Sequence, residues 1–111
     1  MAADIARQIQ SLLELLETVR KHPAMYMGRA RPGEAVAFLM GVAASTQTAL
    51  GVSTQGEPRW QVWKDRGWDQ GGARGPVAHM QQDGLTDDKI VDELIAMEIE
   101  VWKRAAANAL G

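Results

Sequence analysis

Cysteine is absent from the chain. That removes disulfides, thiolate zinc sites and cysteine nucleophiles together, and it suits a reducing compartment. Histidine is nearly absent. His22 and His79 are the only two, and neither stands in a His-x-x-x-His pattern, so a zinc site would need carboxylates from elsewhere. We expect no metal and no cofactor. Long apolar runs are missing too, none approaching the roughly 20 residues of a membrane span. The opening "MAADIARQIQ" has no basic stretch ahead of an apolar one, so no secretion signal is expected. No stretch alternates apolar and polar residues as a half-buried strand does. Together these absences point to a soluble, cytoplasmic protein without a sheet and without a membrane partner.

What is present is helical periodicity. Apolar residues are 46% of 111, enough for one buried core, and we expect a single domain over residues 1–111. Ile5, Ile9, Leu12, Leu13, Leu16 and Val19 repeat at i, i+3, i+4, i+7, predicting a helix over 4–21 with Asp4 as its N-cap. Pro23 stops it, and Arg20 and Lys21 suit the negative end of its dipole. Pro32 opens a second helix ending before Gly51. That helix is apolar on most faces, the mark of a central element. Trp60 and Trp63, one turn apart, predict a short helix within 59–68, and "VAHMQQ" one or two turns before Gly84. Thr86 can cap a last helix from Asp87 to about residue 107, whose face runs through Ile90, Leu94, Ile95, Val101 and Trp102. The expected fold is all-α, a compact bundle of about four or five helices.

Charge is small in total, −2, but unevenly placed. Seven acids stand between Asp83 and Glu100 against Lys89 alone, while Arg20, Lys21, Arg29 and Arg31 fall in a stretch without an acid. The acidic run reads as a solvated helix face, or as a surface for a basic partner. It could also complement the basic loop inside the fold. The net charge argues against a nucleic-acid partner, although Trp60 with Arg59, Lys64 and Arg66 could stack on bases. Tryptophan outnumbers phenylalanine and tyrosine combined, four against one of each. Most of these indoles should be core, Trp102 above all, with Trp60 or Trp68 the candidates for an exposed anchor.

No catalytic constellation emerges. Ser11, Ser45 and Ser53 lack the Gly-x-Ser-x-Gly elbow. Neighbouring acids such as Asp87 and Asp88 diverge on a helix, and Asp88 and Asp92, which share a face, have nothing apolar beside them to raise a pKa. "GGARG" at 71–75 lacks the Lys-Ser/Thr of a phosphate loop.

The stretch "HPAMYMGRARP", residues 22–32, joins the first two helices. Pro23 and Pro32 frame it, Gly28 permits a positive φ, and Met25 and Met27 are expected to fill irregular space between helices. "LETVRKHPAMYMG", residues 16–28, resembles the helix and turn near the start of the ATPase region of gyrase B and related type II topoisomerases. That family carries a catalytic Glu and a magnesium-binding Asn on the next helix, where this chain has Thr46, Gln47 and Thr48. The resemblance therefore implies no ATPase activity. The wider pattern is a helix ending in a Pro-x-Met-Tyr-x-Gly turn, an apolar helix, a Trp-rich middle and an acidic-apolar last helix. It resembles small bacterial proteins, some of them similar to immunity proteins of polymorphic toxin systems. This likeness implies an interaction protein.

We therefore expect a non-catalytic protein-binding module, of immunity or antitoxin type, acting by occlusion. Its candidate partner-binding residues are Tyr26, Arg29, Arg31, Trp60, Trp68, Asp88 and Asp92. One alternative is a nucleotide or small-ligand domain with a pocket between the Met25–Gly28 turn and the tryptophans. A second is a structural subunit, a homodimer through the apolar face of the last helix.

Overall fold

In the computed structural model, residues 2–52, 54, 57–69 and 75–110 are described. They form six helices and no strand: α1 (Ala2–Lys21), α2 (Pro23–Met27), α3 (Pro32–Leu50), α4 (Glu57–Asp65), α5 (Gly75–Gln82) and α6 (Asp87–Leu110). The expected all-α bundle is observed, with one helix more than anticipated. The extra element is α2. Pro23 at its first turn lacks only an amide that would be unpaired there. Its end is set by Gly28, at φ 74°, whose N–H donates to Ala24 O at 3.0 Å. A single helical turn thus stands where a loop was expected. "GGARG" at 71–75 lies largely outside the described residues, as does Ser53.

Three sequence signals hold at residue level. Gly51 closes α3 in the left-handed region at φ 67°, donating to Gln47 O. Thr86 Oγ1 accepts from the Lys89 amide at the start of α6. Pro32 opens α3. Asp4 does not cap α1, because that helix already begins at Ala2 and holds Asp4 within its first turn.

The largest departure concerns which helix is central. α3 was expected to be, but α6 is. α6 packs along α1 on one side and against α3, α4 and α5 elsewhere. Ile90, Val91, Leu94, Ile95, Met97, Ile99, Val101, Trp102 and Ala105 are all buried on it. On α3 only Pro32, Ala35, Leu39 and Ala43 are buried. The reason is side-chain size. Much of the apolar character of α3 is alanine and glycine, which offer little area to remove from water, whereas α6 carries long branched and aromatic groups on two sides. At 18 Å the molecule's thinnest dimension holds two layers of helix at a spacing of about 8–10 Å.

This also corrects the basis for self-association. The apolar face of α6 is consumed within the monomer by Ile9, Leu12, Leu13, Leu16 and Val19 of α1, and by Leu39, Ala43 and Val62. No surplus stripe is left on α6 among the described residues.

Candidate functional site

Four carboxylates of α6, Asp92, Glu93, Glu98 and Glu100, are held by arginines arriving from other elements. Arg20, at the end of α1, donates from Nε to Asp92 Oδ1 at 2.8 Å and from Nη2 to Asp92 Oδ2 at 3.1 Å. Arg66, just after α4, donates from Nε and Nη2 to Glu93 and from Nη1 to Glu100 at 3.3 Å. Arg104 on α6 itself reaches back to Asp65 at 2.7 Å. Charge-assisted forks of this kind are among the stronger hydrogen bonds. They hold the Asp92 carboxyl below its ordinary range through the bond from Arg20, and that of Glu93 through the bond from Arg66, against the opposing effect of burial. Asp65 is lowered likewise by Arg104 and by Gln61.

The deepest of these pairs joins α4 to α6. Arg59 Nη2 donates to Glu98 Oε2 at 3.0 Å, and Nη1 to Oε1. The side chains are 17% and 4% exposed. Desolvating two charges is costly unless further hydrogen bonds satisfy them. Here Trp102 Nε1 donates to Glu98 Oε2 at 3.0 Å, and Thr54 Oγ1 accepts from Arg59 Nη2 at 3.1 Å. Thr54 is itself tied to α3, its amide donating to Gln47 Oε1. Arg59 Nε is left buried with no acceptor.

Beside this pair lies a cleft of about 310 Å³. One wall is the α3 stripe Val36, Leu39, Met40 and Ala43; the others are Arg59 and Trp63 of α4, the start of α5 from Gly75 to Val77, and Leu94, Met97 and Glu98 of α6. Met40 is 64% exposed and marks the opening to solvent. A sealed void of this size would cost about 7 kcal/mol at roughly 24 cal/mol per Å³, comparable with the roughly 5–15 kcal/mol stability of a whole domain. Its opening to solvent is what makes the space tolerable. The pocket expected between the Met25–Gly28 turn and the tryptophans is thus displaced. Trp63 lines the cleft, but residues 25–28 do not.

The second region is the α2 corner. Its two methionines divide: Met27 packs against the core, while Met25 is 75% exposed and fills no gap. Tyr26 is 37% exposed, with its ring 6.5 Å from that of Phe38 on α3. Arg29 and Arg31 are exposed, and neither has an ion-pair partner among the described residues.

The candidate residues distribute as follows. Tyr26, Arg29 and Arg31 share the α2 corner. Asp88 and Asp92 line a shallow cleft with Arg20, Pro23 and Ala30, so the acidic start of α6 adjoins that corner. They also line a groove with Trp68 on the other side of α6. Trp68 is half-buried and structural in its contacts. Its Nε1 donates to Glu93 at 2.8 Å and its ring meets His79 edge-on at 5.1 Å. Trp60 is 48% exposed and lines none of these clefts. Trp102 is fully buried, as its periodicity implied.

The Arg59–Glu98 pair escaped the sequence reading, yet a signal for it exists. Ile90, Leu94, Glu98 and Trp102 form one i, i+4 row, so Glu98 falls on the buried face and needs a buried cation. Arg59 was visible only as one of several bases around the tryptophans.

Among the described residues no group of three or more His, Asp or Glu is placed to hold a metal ion, and no helix is long and apolar enough to cross a membrane. No family model matches the chain, and no curated protein or solved structure matches it.

Proposed function

We propose that this protein is a small non-catalytic binding module that recognises another protein through the α2 corner, as an immunity or antitoxin protein of a bacterial cytoplasm would, and acts by covering its target. The observation that carries this reading is the contrast in charge use. Asp92, Glu93, Glu98 and Glu100 are matched by arginines of the same chain, while Arg29 and Arg31 stand unmatched beside exposed Met25 and Tyr26. Met, Tyr and Arg are residue types enriched where proteins meet. α2 is held by Pro23 and Gly28, so little order would have to be created on binding.

This reverses the sign of the expected partner. The acidic run suggested a basic one. With most of those acids internally neutralised, an acidic, partly apolar protein surface is the better complement, and its approach would be steered by Arg29 and Arg31.

The test uses the products of genes beside this one. Co-expression and biolayer interferometry would be run with the native chain, with a Met25→Ser, Arg29→Glu, Arg31→Glu variant and with Asp88→Lys. Native binding should weaken as salt rises, be lost in the triple variant with its helical circular dichroism intact, and persist in Asp88→Lys. Binding unchanged in the folded triple variant would remove the α2 corner as the docking surface.

A further inference from the structure

The α3–α4–α6 cleft is independent of the α2 corner, and its chemistry is different. We infer that it is a binding site for an uncharged, largely apolar small molecule of about bicyclic size.

Volume sets the size. An apolar cavity of about 150 Å³ accepts a benzene ring, and this one is about 310 Å³, at the lower end of the roughly 300–1,000 Å³ seen for ligand pockets. The walls set the polarity. Leu39, Met40, Trp63, Leu94 and Met97 supply apolar surface. Arg59 and Glu98 are the charged groups, and each is already bonded to the other. The remaining bonds of the pair go to Thr54 and Trp102. A water molecule in the cleft therefore finds few of the 2–4 polar partners that would hold it (roughly that number per buried site), and an apolar group displaces such water readily.

The same pairing sets the charge. An anion would approach Glu98 with the neighbouring guanidinium already committed, and a cation would compete with Arg59 for the same carboxylate. Burying either without a free counter-ion is unfavourable. A nucleotide, with its phosphates, fits this wall poorly. The exposed Met40 at the mouth is unbranched and adaptable, the kind of side chain that re-packs over an incoming ring.

The methionines allow a direct test with the whole chain. Met40 and Met97 line the cleft, whereas Met25 and Met27 lie on α2. Isotope-labelled methionine methyl signals would be followed by NMR during titration with β-naphthol, which is uncharged near neutral pH, and separately with naphthalene sulfonate. β-Naphthol should shift Met40 and Met97 saturably and leave Met25 and Met27 in place. The sulfonate should bind about tenfold more weakly or worse. Ala43→Phe, which puts a ring into the cleft from α3, should weaken β-naphthol by about tenfold or more; Val36→Phe does the same from a half-buried position and decides the matter if Ala43→Phe does not fold. Equal shifts at Met25, binding untouched by a folded cleft-filling variant, or sulfonate binding as tightly as naphthol would each overturn the inference.

Discussion

Two ends of the same charge inventory behave differently. Along α6, Asp92, Glu93, Glu98 and Glu100 are gripped by Arg20, Arg66 and Arg59, and the two better-buried carboxylates also accept from indole N–H groups. At the α2 corner, Arg29 and Arg31 are exposed beside an exposed methionine. The first set closes the fold across long sequence separations, tying α6 to α1 and to both ends of α4. The second set closes nothing within the described structure. Charge density alone did not distinguish them; what did was whether a partner of opposite sign is within reach.

That difference is most easily broken at Glu98. Glu98→Ala leaves the Arg59 guanidinium and the Trp102 N–H buried without their acceptor, and removing one partner of a buried pair costs about 3–5 kcal/mol. Urea denaturation should show a loss of that order. A smaller loss is expected at Glu93, whose pair with Arg66 is only partly buried. Glu93→Gln should cost about 1–2 kcal/mol, since it weakens bonds to a charged donor and to Trp68. Asp92→Asn removes a pair whose side chains are exposed, and should cost less than about 1 kcal/mol.

The pH dependence is set by the partly buried pairs. Asp92 and Glu93 have folded-state pKa values below their ordinary ones. The unfolded chain therefore takes up protons first as pH falls. Their stabilising contribution is complete above the ordinary carboxylate pKa and is lost as pH drops through the folded values. Stability should be level from neutrality to about pH 5 and decline below about pH 4.5, and Glu93→Gln should make that decline shallower. A decline beginning near neutrality would place the controlling group elsewhere.

Much of the helical frame was legible because it depends on local rules. The α3 limits at Pro32 and Gly51 follow from a missing amide and a left-handed φ, and the start of α6 follows from Thr86. Centrality was not legible in the same way. α3 is apolar in residue type, but alanine-rich stretches bury little area, and only three-dimensional packing reveals that α6 takes the middle. The division between Met25 and Met27 is similarly tertiary: both sit in one helical turn, and which one meets the core depends on where α1 and α3 lie. The cleft was not foreseeable, since its walls come from four helices separated by loops. Glu98 was readable in principle from its i, i+4 row, whereas Arg59 as its partner was not, because nothing local selects among Arg59, Lys64 and Arg66.

The most direct measurement is urea denaturation of Glu98→Ala and of an Arg29→Ala, Arg31→Ala double variant side by side. The paired seam predicts a loss of about 3–5 kcal/mol in the first, and a change within about 0.5 kcal/mol in the second, as for surface residues without partners. Comparable losses in the two would contradict it, because the corner arginines would then be part of the fold's internal charge network instead of free for a partner.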